Sequence, residues 1–165
     1  MAKIEGSLGP YENAGVPVNG TDEVQTLTPS ATPASGSFRL QYDGFKTAAL
    51  AYNVSAADMQ TALNALPNIG AGGVGVALGG GVYSITFSGA NLAKRALNLI
   101  SVVNSTLKDA GSADVTLAVA RTTVGVTATA LGALKGALVT DITNGELYIN
   151  TGTAAAPAWK KITHA

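Results

Sequence analysis

The sequence contains no cysteine and a single histidine, and only 12% of its 165 residues are charged. The lack of cysteine excludes disulfides, thiol catalysis and zinc sites built from thiolates. The histidine, His164, stands one residue before the last position of the sequence, where chains commonly fray, so we expect it to be unconstrained. Nucleophilic catalysis needs a base held beside the nucleophile, and this sequence offers little to build one.

Charge is also balanced, with ten basic and ten acidic residues. The largest basic groups are the pairs Lys94-Arg95 and Lys160-Lys161. Because phosphate binding needs a basic stripe, the sequence predicts no nucleic-acid partner. A surface this neutral has two interpretations. Either partners cover much of it, or it belongs to a compact domain of small residues that is soluble enough without net charge.

Long apolar runs are missing as well. No run approaches the roughly 18 residues needed to cross a bilayer, which predicts no membrane partner. The first residues, MAKIEGSLGPYENAG, lack the apolar core of a secretory signal. We therefore expect synthesis in the cytoplasm.

The acidic residues are scattered along the chain, and none falls in a D-x-D or E-x-x-H arrangement. Those in or beside predicted turns, caps and loops are Asp43, Asp58, Asp109, Asp114 and Asp141. Metal sites and paired-carboxylate catalysis need such residues at defined spacings. The sequence thus predicts no catalytic residue, no metal, no cofactor and no enzymatic activity.

A glycine-rich stretch, GAGGVGVALGGG, begins like a dinucleotide-binding fingerprint at Gly73 and Gly75. Leu78 stands where the third glycine of that fingerprint belongs. The stretch also follows a predicted helix and enters a predicted strand, which is the reverse of the phosphate-binding order. We therefore interpret these glycines as turn residues at hairpin ends.

Residues 1–35 are rich in Gly, Pro, Ser, Thr and Asn and show no sustained period. Such a composition buries too little apolar area to offset its ordering entropy. An extended N-terminal arm is one interpretation; a disordered tail and an edge strand added to a neighbour's sheet are the others.

Residues 36–122 read as a core domain. Asp43-Gly44 between alternating apolar residues predicts a hairpin, and GVGVALGGGVYSITFSG predicts a second one. Between them, Ser55 with Asp58 resembles a capping box, and Met59, Leu63 and Leu66 fall at helical spacing up to a stop at Pro67. The segment NLAKRALNLISVVNSTL suits either a helix or a strand, and ADVTLAVARTTVGVTATA is β by content.

Residues 123–165 form a linker and a C-terminal β-hairpin. Asn144-Gly145, within VTDITNGELYIN, predicts a tight type I′ turn. Trp159 is either a core residue packed on Leu147 or Ile149, or an anchor at an interface. The predicted fold is α+β, a mostly antiparallel β-sheet with one packed amphipathic helix, an extended N-terminal arm and the C-terminal hairpin.

Two segments are similar to recurring pieces of tailed-phage virion proteins. Residues 36–89 resemble a module of such proteins and of some large bacterial surface proteins, and the match is close over AYNVSAADMQTALNALPNIGAGGVGVALGGGVYSITFSG. GALVTDITNGELYINTGTAAAPAWKKI, residues 136–162, resembles a segment found near the ends of head decoration, head-fibre and other virion proteins. Their combination on a short chain resembles a capsid decoration (cement) protein.

That resemblance implies a virion structural protein without catalytic residues, located on the capsid exterior. Its expected partners are the major capsid protein and copies of itself, as a trimer. The N-terminal arm, through Tyr11, Val24 and Leu27, would bind the capsid or a neighbour. Tyr148 and Trp159 would pack one subunit on another. The alternatives are a tail or baseplate component and a module that binds carbohydrate or a host surface.

Overall fold

The computed structural model describes residues 11–13, 17–89, 91–129 and 133–163, so His164 lies outside it, as do the side chains of residues 11–13. Within these residues the chain forms one helix and twelve strands. In chain order they are β1 (Tyr11–Asn13), β2 (Glu23–Pro29), β3 (Ser37–Tyr42), β4 (Phe45–Lys46), β5 (Leu50–Ala51), α1 (Ala56–Asn64), β6 (Val74–Gly79), β7 (Val82–Phe87), β8 (Ser101–Val103), β9 (Leu117–Thr123), β10 (Leu138–Asp141), β11 (Glu146–Asn150) and β12 (Trp159–Lys161).

These elements belong to two compact units. The central unit is residues 22–126, and the terminal unit combines the chain up to Thr21 with the chain from Thr127 onward. The sequence places the boundaries after residues 35 and 122 instead. The first of these cuts through the central unit, because the predicted arm includes a strand of that unit's sheet.

That strand is β2, and it corrects the prediction of an extended arm over residues 1–35. It lies inside the four-stranded antiparallel sheet β6-β7-β2-β9, paired with β7 on one side and β9 on the other. Leu27 on this strand is completely buried, so it cannot contact a capsid or a neighbour. The prediction was wrong because it relied on the low apolar content of the segment. β2 is stabilised by hydrogen bonding to its two flanking strands rather than by its own hydrophobicity.

The predicted hairpins of the central unit are confirmed. Tyr42 pairs with Phe45 across Asp43 and Gly44, which have φ angles of 43° and 89°. Two successive positive φ angles are the mark of a type I′ turn. In the second hairpin Gly79 pairs with Val82, and the glycines between them are turn residues, as the sequence predicts.

Helix α1 is also where the sequence predicts it. Ser55 is the N-cap: its Oγ accepts a hydrogen bond from the Asp58 amide (3.1 Å) and donates one to the Asp58 carboxylate (2.6 Å). Met59 and Leu63 are fully buried, and the helix ends at Asn64 with Ala65 as C-cap. Together with the sheets, the helix encloses one core, whose largest members include Leu27, Phe38, Leu40, Met59, Leu63, Ile85, Phe87 and Leu107.

The same helix covers the open edge of the sheet at β6. The Asn64 side chain accepts from the Val74 amide (2.9 Å) and donates to the Val74 carbonyl (3.2 Å). The Gln60 side chain accepts from the Val76 amide (2.9 Å). Side-chain amides thus bind backbone groups that an additional strand would otherwise use.

The remaining strands complete the central unit. β3 pairs with β4, β5 and β8, and β9 provides the second edge of the four-stranded sheet. The ambiguous segment after Asn91 contains no helix; its last part is strand β8. Its first part forms turns, in which the amides of Leu92 and Ala93 both donate to the Gly89 carbonyl (2.8 and 2.7 Å).

The terminal unit contains a second four-stranded sheet, in the order β1-β10-β11-β12. β1 runs parallel to β10, with Tyr11 opposite Val139, and the other pairs are antiparallel. The α+β class, with mostly antiparallel strands and one helix among the described residues, is therefore confirmed.

The loop at Asn144-Gly145 differs from the predicted two-residue turn. β10 pairs with β11 only as far as Asp141 and Glu146, which leaves four residues between them. Gly145 has a φ of 68°, whereas Asn144 does not have a positive φ. The Asp141 carboxylate causes the difference: it accepts hydrogen bonds from the amides of Thr143 (2.9 Å) and Asn144 (3.1 Å), and this stabilises a wider loop.

Candidate interaction surfaces

The two aromatic residues predicted to pack between subunits lie inside the terminal unit. Trp159 and Tyr148 are each 6% exposed and form a small core with Ala133 and Val139. The Trp159 ring nitrogen donates to the Thr129 carbonyl (3.0 Å). Trp159 is therefore a core residue, and neither aromatic side chain is available to a neighbouring subunit.

The partners predicted for Trp159 were wrong. Asn150 lies opposite Trp159, and Tyr148 opposite Lys161. Since side chains alternate between the faces of a strand, Leu147 and Ile149 point away from Trp159.

The residues predicted for capsid contact are not brought together either. Val24 and Leu27 are three positions apart on one strand, so they lie on opposite faces of the sheet. Val24 is half-buried and pairs with Thr86 and Thr123. Tyr11 is placed by its backbone beside Val139, and its side chain lies outside the described structure.

The face of the terminal sheet turned away from Trp159 carries a set of aliphatic side chains. We call it the outer face, and the register assigns to it Leu138, Thr140, Leu147, Ile149, Lys160 and Ile162. The Ile162 amide donates to the Leu147 carbonyl (2.8 Å), which continues the pairing of β11 with β12 by one residue. Leu147 is 36% and Ile162 38% exposed. Leu138 and Ile149 on the same face are half-buried, so Leu147 and Ile162 are its exposed aliphatic members.

The sequence carried a signal for this face. Residues 138–139 and 147–149 are apolar at consecutive positions, so both faces of the hairpin receive apolar side chains. A hairpin with one face in solvent alternates apolar and polar residues instead. Here apolar residues do not alternate with polar ones, which indicates that the outer face is apolar as well.

Asn150 fixes the loops at the other end of the terminal sheet. It is almost fully buried, and its Nδ2 donates to the Ala133 carbonyl (2.8 Å). Its Oδ1 accepts from the amides of Gly152 (2.8 Å) and Ala158 (2.9 Å). One side chain thus satisfies backbone groups from both neighbouring loops.

Three side chains, those of Tyr148, Glu146 and Lys161, form a polar cluster at the edge of the terminal core. The Tyr148 hydroxyl donates to Glu146 (2.7 Å), which also pairs with Lys161. The hydrogen bond to Glu146, with added contributions from burial and from the charges of Glu146 and Asp141, raises the pKa of Tyr148 to about 12. The hydrogen bonds from Lys161 and Tyr148 lower the pKa of Glu146.

The central unit contains a buried polar network that the sequence did not reveal. Glu23 and Gln25 are completely buried on the core-facing side of β2. The Glu23 carboxylate pairs with Arg121 (3.0 Å) and accepts from the Leu97 amide (2.9 Å) and the Gln25 side chain (2.7 Å). Gln25 also accepts from the Ile100 amide (2.8 Å).

These contacts set the ionisation of Glu23. Burial opposes the charged form, but the hydrogen bonds from Leu97, Gln25 and Arg121 and the charge of Arg121 outweigh it, and the pKa of Glu23 is lower than its ordinary value. The network attaches the segment before β8 to the sheet. Its geometry is that of a structural ion pair, with every neighbour of the carboxylate a donor.

The central unit also has an apolar cleft of about 190 Å³. Its walls include Pro33, Phe38, Tyr52, Leu78 and Tyr83. The Tyr83 hydroxyl already donates to the Val54 carbonyl, so it is engaged within the protein. Small-molecule sites usually have several polar groups that point into an apolar cleft, and the Tyr83 hydroxyl does not serve this purpose here because it is bonded to Val54.

The carboxylates of the described residues mainly serve local structure. Asp58 belongs to the helix cap, and Asp109 accepts from the amides of Gly111 (2.8 Å) and Ala113 (2.9 Å). No group of three His, Cys, Asp or Glu side chains in the described ranges is placed to hold a metal. Nor do these ranges contain a helix long and apolar enough to cross a membrane.

Comparison with known proteins finds similarity among solved structures. No protein-family model matches the chain, and no curated protein is similar to it. A solved structure from Mycobacterium phage Patience aligns with a TM-score of 0.38 at 17% identity. The alignment covers 84% of this chain and 49% of that one, so this chain spans about half the length of the phage chain. A TM-score of this size does not establish a common fold.

Proposed function

We propose that this chain is a structural protein of a tailed-phage virion, a decoration protein that binds the outer surface of the capsid and stabilises the head. The observation that carries the proposal is how the phage-like segments fall on the structure. Residues 36–89 lie within the central unit and residues 136–162 within the terminal unit. Each segment is therefore part of its own folded unit, as expected for modules that recur separately in virion proteins.

The proposed mechanism is multivalent attachment. A decoration protein holds adjacent capsid subunits together, and each copy adds a modest interface that symmetry repeats many times. A standard interface of about 800 Å² per partner suffices, and it needs neither a catalytic residue nor a cofactor. The expected partners are the major capsid protein and other copies of this chain, as a trimer at local threefold positions.

For contact between copies we propose the outer face of the terminal sheet, in place of Tyr148 and Trp159. Leu147 and Ile162 are exposed beside each other there, and Lys160 is the charged side chain among the described residues of this face. The balanced charge of the chain imposes little repulsion when identical copies meet. In a trimer each contact joins two different patches, so we propose that the outer face of one copy packs against another part of its neighbour's surface.

Binding to capsids tests the proposed function. Purified protein is mixed with mature capsids and with unexpanded procapsids of the phage that encodes it, and each mixture is sedimented. We expect co-sedimentation with mature capsids and higher heat resistance of particles that carry the protein. Electron microscopy that places the protein on tails, or equal heat resistance with and without it, would overturn the proposal.

Oligomeric state tests the outer face. Leu147→Glu places a charge within the aliphatic surface, whereas Leu134→Glu adds the same charge at a site in the same unit that is 74% exposed. We expect sedimentation equilibrium to show trimers for the wild type and for L134E and monomers for L147E. Dissociation by both variants, or a wild type that is monomeric at every concentration, would contradict the assignment.

A further inference from the structure

The terminal unit contains two Asn-Gly steps, Asn19-Gly20 and Asn144-Gly145, held in opposite ways. In such a step the glycine nitrogen can attack the Asn side-chain carbonyl carbon, because glycine offers no steric hindrance. We propose that Asn19 is a site of spontaneous deamidation in the folded protein, and that the loop around Asp141 protects Asn144. This inference is independent of the proposed function.

The chemistry is a ring closure followed by hydrolysis. The Gly20 nitrogen forms a bond to Asn19 Cγ and loses its proton, and the Cγ–Nδ2 bond breaks as ammonia leaves. One water molecule then opens the resulting succinimide at either carbonyl, giving aspartate or isoaspartate. The sum is asparagine plus water to acid plus ammonia, so no other reactant is needed.

At Asn144 the structure restrains both reacting groups. The nucleophile, the Gly145 amide, donates to the Asp141 carbonyl (2.8 Å). The leaving group is held as well, since Asn144 Nδ2 donates to the Asp141 carboxylate (2.6 Å). A carboxylate that accepts from the amide nitrogen increases electron density on the amide, and Cγ becomes a poorer electrophile. Ring closure must break both hydrogen bonds.

At Asn19 the hydrogen bonding favours the reaction. The Asn19 Oδ1 atom accepts from the Trp159 backbone amide at 2.6 Å. A donor on the carbonyl oxygen withdraws electron density from Cγ and stabilises the oxyanion that forms upon attack. The Gly20 amide makes no hydrogen bond to any described residue, so the nucleophile is not restrained. Asn19 is also exposed, which gives water access to the succinimide.

The product would matter for the terminal unit. Residues 18 and 19 are held to the rest of this unit by three hydrogen bonds. The Val18 amide donates to Thr129 Oγ1 (2.9 Å), and the Thr129 amide donates to the Val18 carbonyl (2.8 Å). The third joins the Trp159 amide to Asn19 Oδ1. Isoaspartate adds a carbon to the backbone at residue 19 and shifts the carboxylate away from the Trp159 amide. We expect the attachment of this segment to β12 to weaken as the protein ages.

Peptide mass spectrometry tests the proposal on the full chain. The protein is incubated at neutral pH in oxygen-labelled water, folded or in urea, then digested with trypsin, which separates the sites because Arg39 and Lys135 lie between them. In the folded protein we expect the label to be incorporated at Asn19 at least about tenfold faster than at Asn144. Ring closure at Asn144 must break two hydrogen bonds of ordinary strength, and this slows it by at least that factor. In urea the two rates should agree within about twofold.

Two variants sharpen the result. Asn19→Gln, whose ring closure is far slower, should retain its Trp159 fluorescence melting curve through an incubation that lowers the wild-type midpoint. Asp141→Ala, which removes the carboxylate, should raise the rate at Asn144 while the rate at Asn19 stays unchanged. Equal rates at the two sites in the folded protein, or the same ratio in urea as in buffer, would overturn the proposal.

Discussion

The Glu23–Gln25 network of the central unit and Asn150 of the terminal unit are both buried, but their hydrogen bonds span very different distances in sequence. Glu23 and Gln25 of the central unit bind backbone amides 74 and 75 positions away. Asn150 in the terminal unit binds groups 2, 8 and 17 positions away. The central network therefore forms only when remote segments meet, whereas the terminal loops are organised by neighbouring residues.

This difference predicts which unit is more sensitive to the loss of one buried polar side chain. Glu23→Ala removes the acceptor of the Leu97 amide and the charge partner of Arg121. It also removes one of the two acceptors of the Gln25 side chain, which keeps the Asn98 carbonyl. We expect a loss of about 3 kcal/mol in unfolding free energy, the low end for a broken buried ion pair because Arg121 is partly exposed. Denaturant unfolding followed by far-ultraviolet circular dichroism measures it.

Trp159 is the single tryptophan of the chain and lies in the terminal unit, so its fluorescence reports on that unit. With Glu23→Ala we expect the circular dichroism transition to move to lower denaturant while the fluorescence transition stays in place. Coincident shifts would mean that the units unfold together. Glu23→Gln, which keeps an acceptor oxygen, is the matched control and should cost less.

A second substitution tests the terminal unit. Asn150→Ala leaves the Ala133 carbonyl and the amides of Gly152 and Ala158 unpaired in a buried position. We expect a loss of about 2 kcal/mol, seen in Trp159 fluorescence. Asn150→Asp separates the two functions of the side chain, because it keeps the acceptor and removes the donor to Ala133. A larger effect from N150A than from E23A would contradict the comparison.

Acid is expected to weaken the central network without any mutation. The folded-state pKa of Glu23 is below its ordinary value of 4.5, so the carboxylate contributes stability above about pH 4.5, and this contribution is lost as the pH falls through the lower folded value. Unfolding free energies measured between pH 6 and pH 3 should decline more steeply for the wild type than for E23Q. Parallel curves would rule out this contribution.

The smallest change in stability is expected at high pH, from the loss of the hydrogen bond between Tyr148 and Glu146. The pKa of Tyr148 is raised from 10.0 to about 12, so its hydrogen bond to Glu146 contributes fully below about pH 10 and is lost as the pH approaches 12. Ultraviolet titration of the phenolates should contain a step near pH 12 that Tyr148→Phe lacks. Burial also raises the pKa values of Tyr42 and Tyr83, so the difference between the two proteins, rather than the wild-type curve alone, identifies Tyr148.

The difference between contacts within a few residues and contacts between remote segments also explains which features the sequence predicted correctly. The Ser55 cap and the Asp43-Gly44 turn are specified within a few residues, and both are where the sequence puts them. Glu23 was missed because a carboxylate on a polar segment gives no sign of a guanidinium 98 positions away. Asn144-Gly145 was misread because the Asp141 side chain competes with the tight turn for the same backbone amides.

The interaction surface was only partly predictable, for a related reason. Trp159 was correctly considered as a core residue, but its face of the sheet depends on the register with Asn150, which the sequence does not show. Once that register is known, Leu147 and Ile162 necessarily share the outer face. One strand pairing therefore determines which of these side chains are buried and which lie on the outer face.

The cover that Gln60 and Asn64 provide for β6 has a consequence for crowding. A coat that carries many identical proteins brings their sheets close together, and uncovered strand edges would then join into continuous ribbons. Here two amide side chains from a helix occupy that edge without adding any charge. If copies of this chain are packed densely, as the proposed function requires, the part of β6 at Val74 and Val76 is closed to pairing with a neighbouring strand.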